Sequence, residues 1–137
     1  MAMRSAARTL RHPRELAEAA LVPSERLGEL ERVAAQYAVA ISPALVELID
    51  PSDPHDPIAR QFVPDAAELR VAPEERADPI GDDAMSPVAG IVHRYPDRAL
   101  LKLVHICPVY CRFCFRREMV GPGGRPALSQ AELAAAL

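Results

Sequence analysis

The chain has 137 residues, of which half are apolar and 26% are charged, and its formal net charge is -3. That length suits one ordinary domain with a modest core. The charge balance gives no overall attraction to nucleic acid or anionic membranes, and no apolar run approaches the roughly 20 residues that span a bilayer. The N-terminal residues lack the continuous apolar stretch of a signal peptide, so we expect a cytoplasmic protein, with an Arg-rich transit peptide as the alternative.

The first predicted region, residues 1–50, is helical. Apolar residues in PRELAEAALV and SERLGELERVAAQYA recur every three or four positions, which is typical of amphipathic helices. Pro13 suits a first helical turn, while Pro23 and Ser24 predict a break followed by a new cap. The stretch PALVELI predicts a third short helix that ends before Pro51. We interpret these helices as structural.

The second predicted region, residues 51–98, is rich in proline, which argues against long helices and central strands. A plain surface linker is the simplest interpretation of such a segment. However, it contains many apolar residues for a free linker: Ile58, Phe62, Val63, Leu69, Val71, Val88, Ile91 and Val92. We therefore predict an extended segment that wraps along another surface.

The third predicted region, residues 99–137, changes character. ALLKLVHI is a continuous apolar run with one charge, which predicts a strand buried on both faces in a parallel sheet. GPGGRP predicts a loop, and LSQAELAAAL predicts a helix with Ser129 as its N-cap and Glu132 completing a capping box. The order of strand, cysteine loop and helix predicts the opening βα unit of an α/β fold.

All the cysteines of the chain lie within eight residues, at Cys107, Cys111 and Cys114. An odd number of clustered cysteines in a reducing compartment argues against disulfides and favours metal or redox chemistry. Structural zinc sites close with four ligands, whereas three thiolates on a 4Fe-4S cluster leave one iron open to a small molecule. His105, two residues before Cys107, leaves a Cys3His zinc site as the rival interpretation.

At these residues the sequence resembles the radical S-adenosylmethionine (SAM) enzymes, whose motif is C-x3-C-x2-C with an aromatic residue, here Phe113, before the last cysteine. Within that superfamily it is most similar to the lysine 2,3-aminomutase family. The similarity rests on DPIARQFVPD, DPIGDDAMSPVAGIVHRYPDRALL and CPVYCRFCFRREMVG, in that order and at family-like separations. It covers roughly residues 40–125.

The resemblance implies that the chain is an N-terminal fragment. It would supply the N-terminal helices, the wrapping segment and the first βα unit of an incomplete radical SAM (β/α) barrel. The implied cofactors are a 4Fe-4S cluster on the three cysteines, SAM on the open iron, and pyridoxal 5'-phosphate (PLP). The only lysine of the chain, Lys102, has no counterpart in the family's pattern, so the PLP-binding lysine is expected outside this chain.

The resemblance also implies roles for individual residues. Arg116 matches the position that holds the substrate carboxylate, a task to which the planar guanidinium is suited. Arg94 and Arg98 match arginines near the PLP phosphate. Tyr110 and Phe113 are expected to line the SAM pocket, or else only to shield the cluster from solvent. No catalytic residue is assigned within the chain.

For the complete protein the resemblance implies an isomerase that moves the α-amino group of L-lysine to give β-lysine. Expected partners are a small amino-acid substrate and a reductant such as flavodoxin or ferredoxin. The short chain alone is expected to be inactive, because it cannot close a barrel. The alternatives are β-lysine supply for elongation factor maturation, or a non-catalytic zinc module.

Two further features are left open by the sequence. The N-terminal helices either form an interface of a homo-oligomer or only cap the barrel. The basic run that includes Arg112, Arg117 and Arg125 is interpreted as a solvated face.

Overall fold

The computed structural model describes residues 8–117, 119–120 and 125–137. Its helices are α1 (Pro13–Glu18), α2 (Leu27–Gln36), α3 (Pro43–Leu48), α4 (Ala59–Phe62) and α5 (Gln130–Ala136), and its strands are β1 (Ile91–Tyr95) and β2 (Arg98–Leu101). Short 3₁₀ turns lie at Ser24–Arg26, Ala66–Leu69 and Asp83–Met85. None of the helices in the described ranges has the length and apolar character needed to cross a membrane.

The three N-terminal helices are confirmed. Pro13 occupies the first turn of α1, as predicted, where its missing N–H costs no hydrogen bond. The break at Pro23 is also confirmed, but Ser24 is not the cap of α2. A 3₁₀ turn intervenes, so that α2 begins three residues later with Arg26 as its N-cap.

The hydrophobic core lies among these helices. It consists of buried apolar side chains from the first 50 residues: Leu10, Leu16, Val22, Leu30, Val39, Ile41, Val46 and Ile49. An antiparallel bridge between Leu10 and Ile41 joins the two ends of this region. Ile58, Phe62 and Val63 pack against the same core, as expected for a segment that wraps along a surface, whereas Val71 is 63% exposed.

Strands β1 and β2 form an antiparallel hairpin, in which Ile91 pairs with Leu101 and Val92 pairs with Leu100. The prediction of one long parallel strand buried on both faces is therefore wrong for the described residues. Regular pairing ends at Leu101, and the apolar side chains beyond it are exposed, at 47% for Leu103, 60% for Val104 and 58% for Ile106. The fold is α/β in the general sense, and the barrel unit stays a prediction.

The segment after β2 returns to the C-terminal helix. Val104 forms an isolated bridge with Ala127, and the N–H of His105 donates to the carbonyl of Pro126 at 2.8 Å. The predicted capping box of α5 is confirmed, because the Ser129 hydroxyl accepts from the backbone N–H of Glu132. Most of the predicted loop GPGGRP, residues 121–124, lies outside the described residues.

Candidate functional site

The cysteine loop, residues 107–117, carries the three predicted metal ligands. Cys107 and Cys111 are exposed, Cys114 is half-buried, and none of the three forms a disulfide. The N–H of Cys114 donates to the carbonyl of Cys111 at 3.2 Å, which closes a turn between these two. Among the described residues no group of three His, Cys, Asp or Glu side chains is gathered as a metal would need. The thiols are available, and their ligand role stays a prediction.

Arg112 fixes this loop to the N-terminal part of the chain. Its side chain is only 6% exposed, and its Nε and Nη2 donate to the two carboxylate oxygens of Glu68 at 3.0 and 2.6 Å. Its Nη1 donates to the carbonyl of Ala38 at 2.7 Å. Buried charges need such pairing, because desolvation of an unpaired guanidinium is costly. The interpretation of this arginine as part of a solvated face is therefore wrong.

Backbone hydrogen bonds hold the same part of the loop. The N–H of Tyr110 donates to the carbonyl of Ala40 at 3.0 Å, and the N–H of Arg112 donates to the carbonyl of Gln61 at 2.7 Å. The loop therefore lies across the end of α2 and the end of α4, with its conformation fixed on both sides of Cys111.

Arg117 is also held rather than solvated. Its guanidinium carbon lies 3.8 Å from the centre of the Tyr37 ring, a cation–π contact, and its Nη1 lies 3.7 Å from Glu68. By contrast, Arg125 is 63% exposed and forms a two-pronged pair with Glu132. This pair, together with hydrogen bonds from Ser129, lowers the pKa of Glu132 to about 2.

A second carboxylate, Asp82, brings together two arginines that were predicted to bind ligands. Arg94 donates to its Oδ1 and Arg116 to its Oδ2, each at 2.9 Å, and the Asp82 side chain is 6% exposed. The hydrogen bond from Arg94 is the main cause that lowers the pKa of Asp82; burial opposes it, and Arg116 adds to it. Arg94 also donates to the carbonyl of Ile80.

Arg98, the other arginine predicted near a phosphate, does not join this cluster. Its guanidinium carbon lies 4.6 Å from the centre of the Tyr95 ring, and its Nε lies 3.9 Å from Asp97. Its side chain is 69% exposed.

The two predicted aromatic residues lie on different cavities. Phe113 is 76% exposed and borders an open groove of about 1310 Å³, together with Cys114 and Phe115. Tyr110 is half-buried and lines a cavity of only about 10 Å³ beside Cys111. Their place at a SAM pocket stays a prediction.

Two residues weighed for other roles are engaged elsewhere. The Nδ1 of His105 lies 3.2 Å from the carbonyl of Arg125, and its Nε2 is buried. The Nζ of Lys102 lies 3.8 Å from the sulfur of Met119.

Comparison with known proteins gives named relatives, although no family model matches the chain. An L-lysine 2,3-aminomutase of Clostridium subterminale is 48% identical over 83 residues, which cover 61% of this chain and 20% of the relative. Another, of Acetoanaerobium sticklandii, is 43% identical over 101 residues, covering 74% of this chain and 24% of the relative. A glutamate 2,3-aminomutase of Clostridioides difficile is 39% identical over 92 residues, which cover 67% of this chain and 22% of the relative. The chain spans about a fifth to a quarter of the length of these curated relatives.

Proposed function

Because the chain belongs by sequence to the lysine 2,3-aminomutase family, we propose that it is the cysteine-bearing part of a radical SAM aminomutase, an isomerase. The observation that carries the proposal is the coincidence of two features. The identity to an L-lysine 2,3-aminomutase reaches 48%, and the chain keeps three unpaired cysteines at the spacing C-x3-C-x2-C.

The chemistry of the donor set suits a 4Fe-4S cluster. Iron–sulfur clusters are held by Cys thiolates, and Cys107, Cys111 and Cys114 would hold three irons of such a cluster. Zinc in structural sites takes four ligands, so three cysteines suit zinc less well. When bound, the cluster would supply the electron that cleaves SAM to methionine and a 5'-deoxyadenosyl radical. The turn between Cys111 and Cys114 supports the proposal, because it closes the chain between two of the three ligand positions.

The arginines of the site would bind the anionic groups of the substrate and of PLP. We assign the substrate carboxylate to Arg116 and the PLP phosphate to Arg94 and Arg98. The side chains of Arg94 and Arg116 are each 32% exposed, so that part of each guanidinium remains accessible beside Asp82. A planar guanidinium carries five N–H donors, so its exposed edge can donate hydrogen bonds to a second oxyanion.

For the complete protein we propose a PLP-assisted 1,2-amino migration that converts L-lysine to β-lysine. We propose lysine rather than glutamate as the substrate, because two relatives named L-lysine 2,3-aminomutase are 48% and 43% identical to the chain, whereas the glutamate 2,3-aminomutase is 39% identical. An external one-electron reductant, such as flavodoxin or ferredoxin, would be required.

The test is anaerobic reconstitution of the chain with iron and sulfide, followed by electron paramagnetic resonance of the reduced sample with and without SAM. We expect a reduced-cluster signal that changes when SAM is added. Cys111→Ala should abolish the signal while its far-ultraviolet circular dichroism stays that of the wild type. A folded, colourless protein that contains zinc and does not respond to SAM would contradict the proposal.

A further inference from the structure

Glu68 lies 44 residues before Arg112 in the sequence, yet its carboxylate meets the guanidinium of Arg112 with both oxygens. Both side chains are largely buried, at 13% and 6% exposure. With the carbonyl of Ala38 as a third acceptor, the guanidinium joins three separate segments of the chain. We call these three groups the clamp.

The clamp acts at the centre of the cysteine loop. Arg112 follows Cys111 directly and precedes Cys114 by two residues, so fixing its side chain fixes the backbone between these two thiols. The backbone hydrogen bonds of Tyr110 and Arg112 hold the loop in the same place.

Glu68 also reaches the other side of Cys114. Its Oε2 lies 3.7 Å from Arg117, whose backbone N–H donates to the carbonyl of Cys114 at 3.2 Å. One buried carboxylate therefore holds guanidinium groups on both sides of this cysteine. The Tyr37 ring beneath Arg117 limits the positions that its guanidinium can adopt.

We propose that Glu68 is a positioning residue for the cysteine loop. Acting through Arg112, it sets Cys111 and Cys114 on a fixed backbone before any metal binds. That the loop binds a metal rests on the proposed function. That Glu68 fixes the loop rests on the contacts of the clamp alone. Groups that orient metal ligands from outside the ligand set change metal affinity markedly, because a mobile loop must be ordered when the metal binds.

The decisive experiment is amide hydrogen exchange of the metal-free chain, with Glu68→Gln compared with the wild type. Glutamine keeps the size of the side chain but loses the charge and one acceptor oxygen. We expect exchange at the amides of Tyr110 and Arg112 to accelerate about tenfold or more. The amide of Leu21, which packs against the core and donates to the carbonyl of Leu16, should change less than about twofold. Glu74→Gln removes the same charge from an exposed side chain and serves as the matched control.

Two further variants separate positioning from charge alone and from misfolding. Arg112→Lys retains the positive charge but loses the planar fork, so it should also accelerate exchange of the loop amides. Glu68→Asp retains the charge on a shorter side chain and should give an intermediate rate. If the Leu21 amide of Glu68→Gln also exchanges faster, Arg112→Lys and Glu68→Asp replace it in the comparison. Exchange of the loop amides at the wild-type rate in both variants would then overturn the proposal.

Reconstitution with iron and sulfide then links the clamp to metal uptake. For Glu68→Gln we expect uptake about tenfold weaker than for the wild type and for Glu74→Gln. If the wild type binds no cluster but Glu68→Gln still frees the loop amides, the proposed function fails while the positioning role of Glu68 stands. Unchanged exchange in Glu68→Gln, or an equal acceleration in Glu74→Gln, overturns the positioning role.

Discussion

Replacing Asp82 by asparagine removes the carboxylate that Arg94 and Arg116 share. In the structure each of its oxygens accepts from one arginine at 2.9 Å, Oδ1 from Arg94 and Oδ2 from Arg116. Asparagine keeps the shape and one acceptor oxygen. Its amide nitrogen, however, can only donate, and a guanidinium has no acceptor to meet it. Two positive charges would then lose the carboxylate that lies between them.

The size of the effect follows from burial. Removing one partner of a buried ion pair costs about 3–5 kcal/mol. The Asp82 side chain is 6% exposed, but both arginine side chains are 32% exposed, so water can solvate them after the substitution. The remaining amide oxygen keeps one hydrogen bond, worth about 1 kcal/mol. We therefore expect Asp82→Asn to lower the free energy of unfolding by about 2 kcal/mol.

Urea denaturation at pH 7 measures this loss. The chain has three tyrosines and no tryptophan, so near-ultraviolet circular dichroism follows the packing around the tyrosines while the far-ultraviolet signal follows the helices. Asp83→Asn is the matched control, because Asp83 is an exposed neighbour with the same charge. A loss under about 0.5 kcal/mol, which is the usual range for surface substitutions, or an equal loss in Asp83→Asn would refute the reasoning.

The pH dependence of the same variant gives an independent check. The folded state lowers the pKa of Asp82, chiefly through Arg94, so its contribution to stability is fully present above the unfolded pKa of about 3.9. That contribution is lost as the pH falls through the lower folded pKa. The difference in stability between the wild type and Asp82→Asn should stay constant from about pH 7 to 5 and shrink below about pH 4. A difference that does not depend on pH would contradict the ion-pair account.

Three other measurements test the fold. Leu30→Ala, at a fully buried core position, should cost about 3–4 kcal/mol in urea denaturation. Gly90→Ala should lower the free energy of unfolding by about 1–2 kcal/mol in thermal denaturation. Gly90 has φ +84°, and a new Cβ there would overlap the Leu128 side chain. The control Gly28→Ala should not destabilise the protein, because no atom lies within 4 Å of its new Cβ. The Glu132 carboxyl should titrate in NMR near pH 2. Its support of α5 should be fully present above the unfolded pKa of about 4.5 and should be lost as the pH falls from there through the folded value; titration near 4.5 would contradict the ion pair and the cap.

Local features of the fold were predictable from the sequence because their causes are local. The start of α1 at Pro13 and the cap of α5 at Ser129 each depend on residues within one turn. The pairing of the strand predicted from ALLKLVHI was not predictable, because an apolar run does not specify which strand pairs with it. Here a turn after Tyr95 brings β1 beside β2, and the apolar residues beyond Leu101 are exposed.

The candidate site was predictable only in part. The three cysteines and Arg116 stand in a short motif, whereas the carboxylates that hold the loop lie far away along the chain. Glu68 precedes Arg112 by 44 residues, and no spacing rule links them. The rule that runs of charge form solvated faces failed for Arg112 and Arg117, because it considers only neighbours in the sequence.

The two carboxylates also explain why the proline-rich region is more than a connector. Glu68 and Asp82 both lie in it, and each faces two guanidinium groups around the cysteine loop. The consecutive residues Arg116 and Arg117 turn to different carboxylates, so the backbone after Cys114 is held from two sides. Arg94 and Arg116 are each 32% exposed beside Asp82, so they keep N–H donors that Asp82 does not use. These free donors suit anionic ligands, such as the substrate carboxylate and the PLP phosphate of the proposed function.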